Sequence, residues 1–471
     1  MPSPTVRFPR KALVAFTLTL ALSACGEVAR LPQSALTGPE PTLLNPVRLV
    51  IPTVDIAPAV GWPTGGLPQA ANGLQVVAFA NALDHPRWLH VLPNGDVLVA
   101  ESNRPSRSPS AATGVADRVR AWVMAQVMSR AGAASSSADR ITLLRDADGD
   151  GVAEFRSTFA QGLVSPFGMA LVGDWLYVGV ADGVMRLPYA AGATQVDALP
   201  ERVAHLPAGI NHHWTKSLVA SPDGQRLYAG VGSNSNVAER GMEAENGRAA
   251  IWEIDIATRA ARPYATGLRN PVGLAFEPTA VQLYVVVNER DELGSDLVPD
   301  YLTRVRDGGF YGWPWFYWGA IPDPRMTAPR PVDIRPSLKP DFALGAHVAP
   351  LGLAWQPTPD GWPEALRNGF FIGLHGSWNR TPLAGYKVVF VALQEGRPSL
   401  PMHDVLTGFL NPAGQAQGRP AGVAVDPRGV LFVADDVGNT VWRVAPAAMN
   451  LPALRPAAAP ASAAAAVTAV R

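Results

Sequence analysis

Three observations predict an all-β fold, a six-bladed β-propeller with two loop or helix insertions. One pattern recurs six times: a small or polar residue with proline, an apolar stretch, a turn with Pro, Asp or Gly, and a strand of Leu, Tyr, Val or Phe. The copies follow one another at intervals of roughly 50 to 80 residues, the mark of a repeat architecture. The composition, with 44 Gly, 45 Pro, 13 Trp, 9 Tyr and 15 Phe among 471 residues, suits short strands and frequent turns.

The clearest copies begin at His85, Ser165, Asn270, Ala349 and Arg419, and a looser one begins at Thr215. Each is a hairpin signal, apolar residues leading through a Gly or Asp turn into a β-branched or aromatic strand. A single hairpin cannot bury both of its faces. Arranged radially, each sheet packs on its neighbours and few edges stay exposed. A β-sandwich or two unrelated β domains is the alternative arrangement of the same hairpins.

The N-terminus reads as an export signal over residues 1–24. Arg7, Arg10 and Lys11 precede an apolar run, Ala12 to Leu22, that is too short to span a bilayer stably. Leu22-Ser23-Ala24-Cys25 follows and resembles the bacterial lipobox. The resemblance implies cleavage before Cys25, acylation of that residue and attachment on the periplasmic side of the cell envelope, with the outer membrane favoured because Gly26 rather than Asp follows. Cys25 is the only cysteine, which excludes intrachain disulfides and cysteine-cluster metal sites. The net charge is zero, so nothing in the charge balance points to nucleic acid.

Residues 25–70, rich in Pro, Ala, Gly and Thr, read as a flexible tether. The propeller is expected over 71–445. Residues 446–471 read as a disordered Ala/Pro tail. One insertion, 102–140, contains a helical stretch in which Val119, Trp122, Val123 and Val127 share a face, as a rim helix or a lid would require. The other, 313–345, is rich in Trp and Pro and suits a wall above the central channel. Its run from Trp313 to Trp318 reads either as a packed corner or as a sugar-stacking surface.

A more specific signal lies at Gly267 to Leu274, GLRNPVGL, with VNERDELGSDLVPDYLTRVRDGGFYGWP following from Val287 to Pro314. Over most of residues 75–445 the chain resembles the PQQ-dependent soluble glucose, aldose and sorbosone dehydrogenases, the second segment most resembling the sorbosone branch. The resemblance implies an oxidoreductase that passes hydride from a sugar, sugar aldehyde or related alcohol to PQQ, with a histidine base and Ca2+. Within Asn211-His212-His213-Trp214 it selects His213 as the base and leaves His212 as its neighbour. It places Arg269 on the quinone oxygens, with Asn270 assisting. It makes Asn288, His347, Arg380 and Arg419 cofactor contacts, and the backbone carbonyls of Glu289 and Arg290 calcium ligands. Two positions depart from the glucose dehydrogenases: Leu163 stands near an expected glutamine and Ala421 replaces a second arginine.

Asp146, Asp148 and Asp150 alternate with small residues and suit either a structural calcium loop or a glycine-rich turn. The chain has no haem-attachment motif, so the implied reaction needs a separate electron acceptor, a quinone or a cytochrome. The membrane is expected to be met through the lipid anchor only. Two other functional classes compete with the dehydrogenase: a calcium-dependent propeller hydrolase of lactonase type, and a non-catalytic envelope propeller that has lost PQQ.

Overall fold

The computed structural model describes residues 27–48, 53–105, 130–132, 136–332, 335–356 and 361–447. Six antiparallel sheets are built from consecutive stretches of chain. The first blade comprises Pro86–Val91, Val97–Glu101, Arg140–Arg145 and Phe155–Gln161, and the second Met169–Val172, Trp175–Val180, Gly183–Pro188 and Glu201–His205. The third runs from Leu218–Ala220 to Ala261–Thr266, the fourth from Asn270–Glu277 to Phe342–Ala346, and the fifth from Pro350–Trp355 to Arg397–Thr407. The sixth takes three strands from 420–446, and its fourth is Leu74–Ala80, from before the first blade. The ring is thus closed by pairing the two ends of the propeller, which covers an edge that would otherwise remain open. The fold is the expected six-bladed propeller, and the six repeats are the two inner strands of each blade.

The inner strands explain the repeat. Each has sheets packed on both sides, so it reads as an unbroken apolar run; Val97, Leu98, Val99 and Ala100 are wholly buried. In the fourth, fifth and sixth blades the strand opens Pro-x-Gly, and the glycine is where the next blade's backbone passes. A Cβ on Gly273 would lie 2.7 Å from the Leu351 carbonyl, one on Gly352 2.6 Å from that of Ala421, and one on Gly422 2.8 Å from that of Arg87. Only a residue without a side chain lets neighbouring blades approach this closely.

Residues 27–48 and 53–70 do not form the free tether that their composition suggests. Thr37–Gly38 pairs with Leu344 and Ala343 at the edge of the fourth blade, and Gln69–Ala70 pairs with Thr407 and Leu406 at the edge of the fifth. Leu36 and Ala57 are completely buried. Composition underestimates such a segment because its partners are backbone groups on open sheet edges, which need no apolar bulk.

In the 313–345 insertion, residues 313–322 form a packed corner. Trp313, Trp315, Tyr317 and Trp318 are all buried, and Phe316–Tyr317 pairs with Ile321–Pro322. The export signal, Cys25, the helical stretch with Val119, Trp122, Val123 and Val127, and residues 448–471 of the tail lie outside the described residues.

The glycine packing generates a stability prediction. Gly352→Ala places a methyl group against two backbone atoms of the sixth blade that cannot move independently. It should cost about 1–3 kcal/mol, the usual penalty of overpacking, read as a lower urea midpoint with the slope unchanged.

Candidate active site at the propeller mouth

In every blade the loop entering the inner strand and the loop leaving the second strand open at the same end of the ring. All the residues singled out by the family resemblance fall in those loops. His213 precedes the third blade and Arg269 and Asn270 open the fourth. Residues 288–291 leave its second strand, His347 precedes the fifth blade, Arg380 follows that blade's second strand, and Arg419 precedes the sixth. Beneath this mouth, Trp88, Phe167, Trp214, Val272, Leu351 and Ala421, one from each blade, belong to a single buried cluster. Phe167 lies 4.7 Å from Trp88 and 5.6 Å from Trp214 between ring centroids. The floor of the mouth is therefore apolar and partly aromatic. Leu163 and Ala421, where the sequence departs from the glucose dehydrogenases, are both packed in this cluster.

His213 is held by neutral groups. Its Nδ1 lies 2.9 Å from the Ser233 carbonyl and 3.1 Å from Ser233 Oγ. A carbonyl can only accept, so Nδ1 carries the proton and Nε2 is left with its lone pair. Burial, then the nearby Arg269 and His212, holds the imidazole pKa well below its ordinary value. The ring is the neutral, proton-accepting form at neutral pH. His212 packs edge-on against it at 4.8 Å. Arg248 grips the surrounding backbone, donating to the carbonyls of His213, Gly232 and Pro207 at 2.9, 2.9 and 2.8 Å. Gly232 separates His213 from Asn270, and a Cβ there would strike both.

Arg269 is organised by Asp291, which sequence reasoning missed. Nη2 donates to Asp291 Oδ2 at 2.8 Å and to Asn236 Oδ1 at 3.0 Å, and Nη1 donates to the Glu289 carbonyl at 2.5 Å. The other oxygen of Asp291 accepts from Asn379 at 2.8 Å and lies 3.7 Å from His347 Nδ1. Burial would raise the Asp291 pKa, but Arg269 and His347 outweigh it and keep the group ionised. For His347, burial works against the charged ring, yet Asp291 and the Gly294 carbonyl raise its pKa above the ordinary value. His347 is thus tied to Asp291 and Gly294. Asn288 donates to the Pro350 carbonyl at 2.8 Å and joins the fourth blade to the fifth.

A second polar group occupies the mouth near the first, fifth and sixth blades. Asp436 is bonded to Arg87, accepts from His375 Nε2 at 2.9 Å and lies 3.9 Å from His85. Arg419 is buried nearby and makes no ion pair among the described residues. Its Nη2 donates at 3.3 Å to the Ala57 carbonyl and to Tyr386 Oη. Arg380 is buried, donates to the Pro382 carbonyl at 2.5 Å and makes a 3.7 Å ion pair to Asp296. The Nε atoms of Arg87, Arg380 and Arg419 and the Oδ1 of Asn270 are buried without hydrogen-bond partners. Unpaired buried donors cost free energy, and guanidinium groups bind planar carboxylates bidentately. Cationic donors around an apolar floor fit a flat polycarboxylate such as PQQ.

The expected metal ligands fare differently. The Glu289 carbonyl is taken by Arg269, so calcium there requires the guanidinium to move. The Arg290 side chain is wholly buried and braces the Trp-rich corner, donating to the Pro314 and Phe316 carbonyls. Asp146, Asp148 and Asp150, with Glu154, bring ligand oxygens within 4.8 Å of one another. They sit in the turn between the third and fourth strands of the first blade, at the opposite end of the propeller from the mouth. No signal in the sequence marks Asn236, Arg248 or His375. Asp291 alone had a cue, a carboxylate directly after the Asn288-Glu289-Arg290 turn.

The TrAA12-like family model matches residues 140–300 and 334–447, more than half of the chain. An uncharacterised protein of Borreliella burgdorferi is 30% identical over 223 residues, covering 46% of this chain and 57% of that protein. A pyrroloquinoline quinone-dependent pyranose dehydrogenase of Coprinopsis cinerea is 26% identical over 253 residues, covering 43% of this chain and 34% of that one. The matches therefore span only about a third to somewhat over half of these relatives' own length. Among solved structures, the holo PQQ domain of Coprinopsis cinerea pyranose dehydrogenase superposes with a TM-score of 0.60 at 20% identity, covering 80% of this chain and 97% of that one. The Trichoderma reesei carbohydrate-active enzyme of family AA12 gives 0.63 at 20% identity, covering 83% and 99%. The apo aldose sugar dehydrogenase of Escherichia coli gives 0.54 at 15% identity, covering 79% and 99%. At these identities the likeness is one of fold.

If the mouth is the reactive site, Gly232→Ala should keep the fold at an overpacking cost of about 1–3 kcal/mol and be severe for function. The methyl group pushes His213 and Asn270 apart, and misplacement of that order costs about 100-fold in turnover. Circular dichroism of the variant should match that of the parent.

Proposed function

We propose, since this chain belongs to the TrAA12-like family, that it is a PQQ-dependent oxidoreductase acting on a sugar, sugar aldehyde or related alcohol. The observation that carries this reading is the pairing of a neutral imidazole, His213, with the Arg269 guanidinium over one apolar floor. The pyranose dehydrogenase relative and its PQQ-bound domain support the cofactor. When bound, PQQ supplies a two-electron acceptor for hydride.

The chain's residues supply the rest. His213 Nε2 takes the proton of the donor hydroxyl as the adjacent carbon–hydrogen bond breaks. The proton stays on the ring, whose Nδ1–H remains bonded to Ser233. Arg269 presents positive charge, fixed by Asp291, where negative charge accumulates, and a group oriented beforehand needs no reorganisation during reaction. Arg380 and Arg419 bind carboxylates, and Asn270 orients the bound group. Trp88, Phe167 and Trp214 keep water from below. Calcium belongs to this reading as the cofactor's companion, with the Arg290 carbonyl as its remaining protein ligand. A lactonase-type hydrolase would need carboxylates converging on a metal, whereas Asp291 and Asp436 are both spent on arginines. The sorbosone branch is the proposed substrate class within the family, and a separate quinone or cytochrome takes the electrons onward.

The test is to add PQQ and Ca2+ to the purified apoprotein and scan aldoses and sugar aldehydes with an artificial electron acceptor, with a chelator-treated arm for calcium. Cofactor binding and PQQ-dependent dye reduction are expected, and their absence removes this reading. His213→Ala should lower turnover by about 100- to 10,000-fold, the range for loss of a general base, with PQQ affinity retained. Because the His213 pKa is lowered, its base form persists into acid. In the protein without PQQ, the titration of the His213 ring followed by NMR should therefore fall below pH 6.5, the ordinary imidazole value.

Cys25 is proposed to carry the lipid anchor at the periplasmic face of the envelope. Labelling with an alkyne fatty acid should mark the parent protein and not Cys25→Ala.

A further inference from the structure

We propose that residues 27–48 and 53–62 form a built-in wall of the mouth that positions Asn379, Arg380 and Arg419 for the cofactor. This rests on the PQQ reading, and the segment lies outside the residues matched by the family model.

The segment meets the mouth in two passes, and the loop carrying Asn379 and Arg380 is stitched to both. In the first pass, Val28 forms a bridge with Thr381, and the Ala29 N–H donates to the Thr381 carbonyl at 2.7 Å. In the second, Asp55 forms a bridge with Asn379. The Asp55 N–H donates to the Trp378 carbonyl at 2.9 Å, and its carboxylate accepts from Thr381 Oγ1 at 3.0 Å. Arg380 therefore leaves a backbone whose partners on either side belong to the N-terminal segment.

The same segment reaches the partners of the arginines. Asp296, the ion-pair partner of Arg380, accepts from the N–H groups of Arg30 and Leu31 at 2.6 and 3.3 Å. The Ala57 carbonyl is one of two acceptors for Arg419 Nη2. The second pass is fixed to the sixth blade by Trp62, which donates to Asp435 at 2.7 Å and packs edge-on against Phe409 and Trp442. Arg380 also donates to the Pro382 carbonyl at 2.5 Å and Arg419 lies 5.1 Å over the Tyr386 ring, and the wall adds to these contacts in selecting their orientation. A long side chain held in its binding orientation loses less freedom when the ligand arrives. The wall supplies that orientation through backbone contacts, and its carboxylate at this loop, Asp55, is bonded to Thr381 rather than to either arginine.

The full chain tests this through Asp55. Asp55→Ala removes the bond to Thr381, and Asp55→Asn keeps an oxygen acceptor there. PQQ affinity from tryptophan-fluorescence titration should weaken by about five-fold or more in Asp55→Ala, as expected for lost pre-organisation, and return in Asp55→Asn. The melting midpoint should stay near that of the parent in both. Amide hydrogen exchange in residues 376–382 should accelerate in Asp55→Ala alone. Deleting residues 27–62 should abolish PQQ binding, and if that variant does not fold, the Asp55 pair decides. Unchanged affinity in Asp55→Ala, or a midpoint loss without an affinity loss, overturns the proposal. If the parent itself binds no PQQ, the functional reading fails separately. Exchange in residues 376–382 then decides the positioning, and an unchanged rate overturns it.

Discussion

Six sheets can share one axis only if their inner strands meet backbone to backbone. That requirement shapes the rest of this molecule. It puts glycine at Gly273, Gly352 and Gly422, where a side chain would strike the next blade. It fills the axis with Trp88, Phe167, Trp214, Val272, Leu351 and Ala421, which leaves the mouth as the place where loops from all six blades converge. It also joins Leu74–Ala80 to the last blade, because an unclosed ring would present a bare strand edge.

An apolar floor makes charge at the mouth expensive. Most of the cost is offset by sharing carboxylates among several partners. Asp291 serves Arg269, Asn379 and His347, and Asp436 serves Arg87 and His375. Removing one member of such a set leaves a buried charge uncompensated, which is far more damaging than the net worth of the pair suggests. Arg380 and Arg419 stand outside this arrangement. Their charge is only loosely answered from within the protein, which is what a site for a polyanion requires.

The propeller was legible because its diagnostic features are local. Each inner hairpin carries its proline, its glycine and its apolar run within about twenty residues, the scale on which hairpin signals act. The outer strands were not legible, since Phe155–Gln161 and Ala261–Thr266 are largely exposed and read as polar sequence. At the mouth, motif resemblance singled out His213, Arg269, Asn270, Arg380 and Arg419, which stand in or beside the loops between strands with a recognisable frame. It did not reach Asp291, whose partners at positions 236, 269, 347 and 379 come from separate loops. Its place directly after the Asn288-Glu289-Arg290 turn is a cue to the loop, not to that convergence. The same limit explains the N-terminal segment, whose proline-rich composition carries no trace of the blade edges and mouth loops it pairs with.

The neutral setting of His213 bears on how such a site works. A carboxylate behind Nδ1 would stabilise the imidazolium and strengthen the base. Here the ring leans on a serine carbonyl and hydroxyl, and the charge that weighs most on it is that of the cationic Arg269. A proton on His213 is therefore disfavoured twice, by burial and by like charge. An anion seated against Arg269 reverses the second effect, because an added negative charge favours the protonated ring. The basicity of His213 is thereby coupled to ligand binding, and rises when a polyanion lies against the arginines. A carboxylate partner would have made the base strong in either state, and its absence leaves the ligand itself as the source of the activating charge.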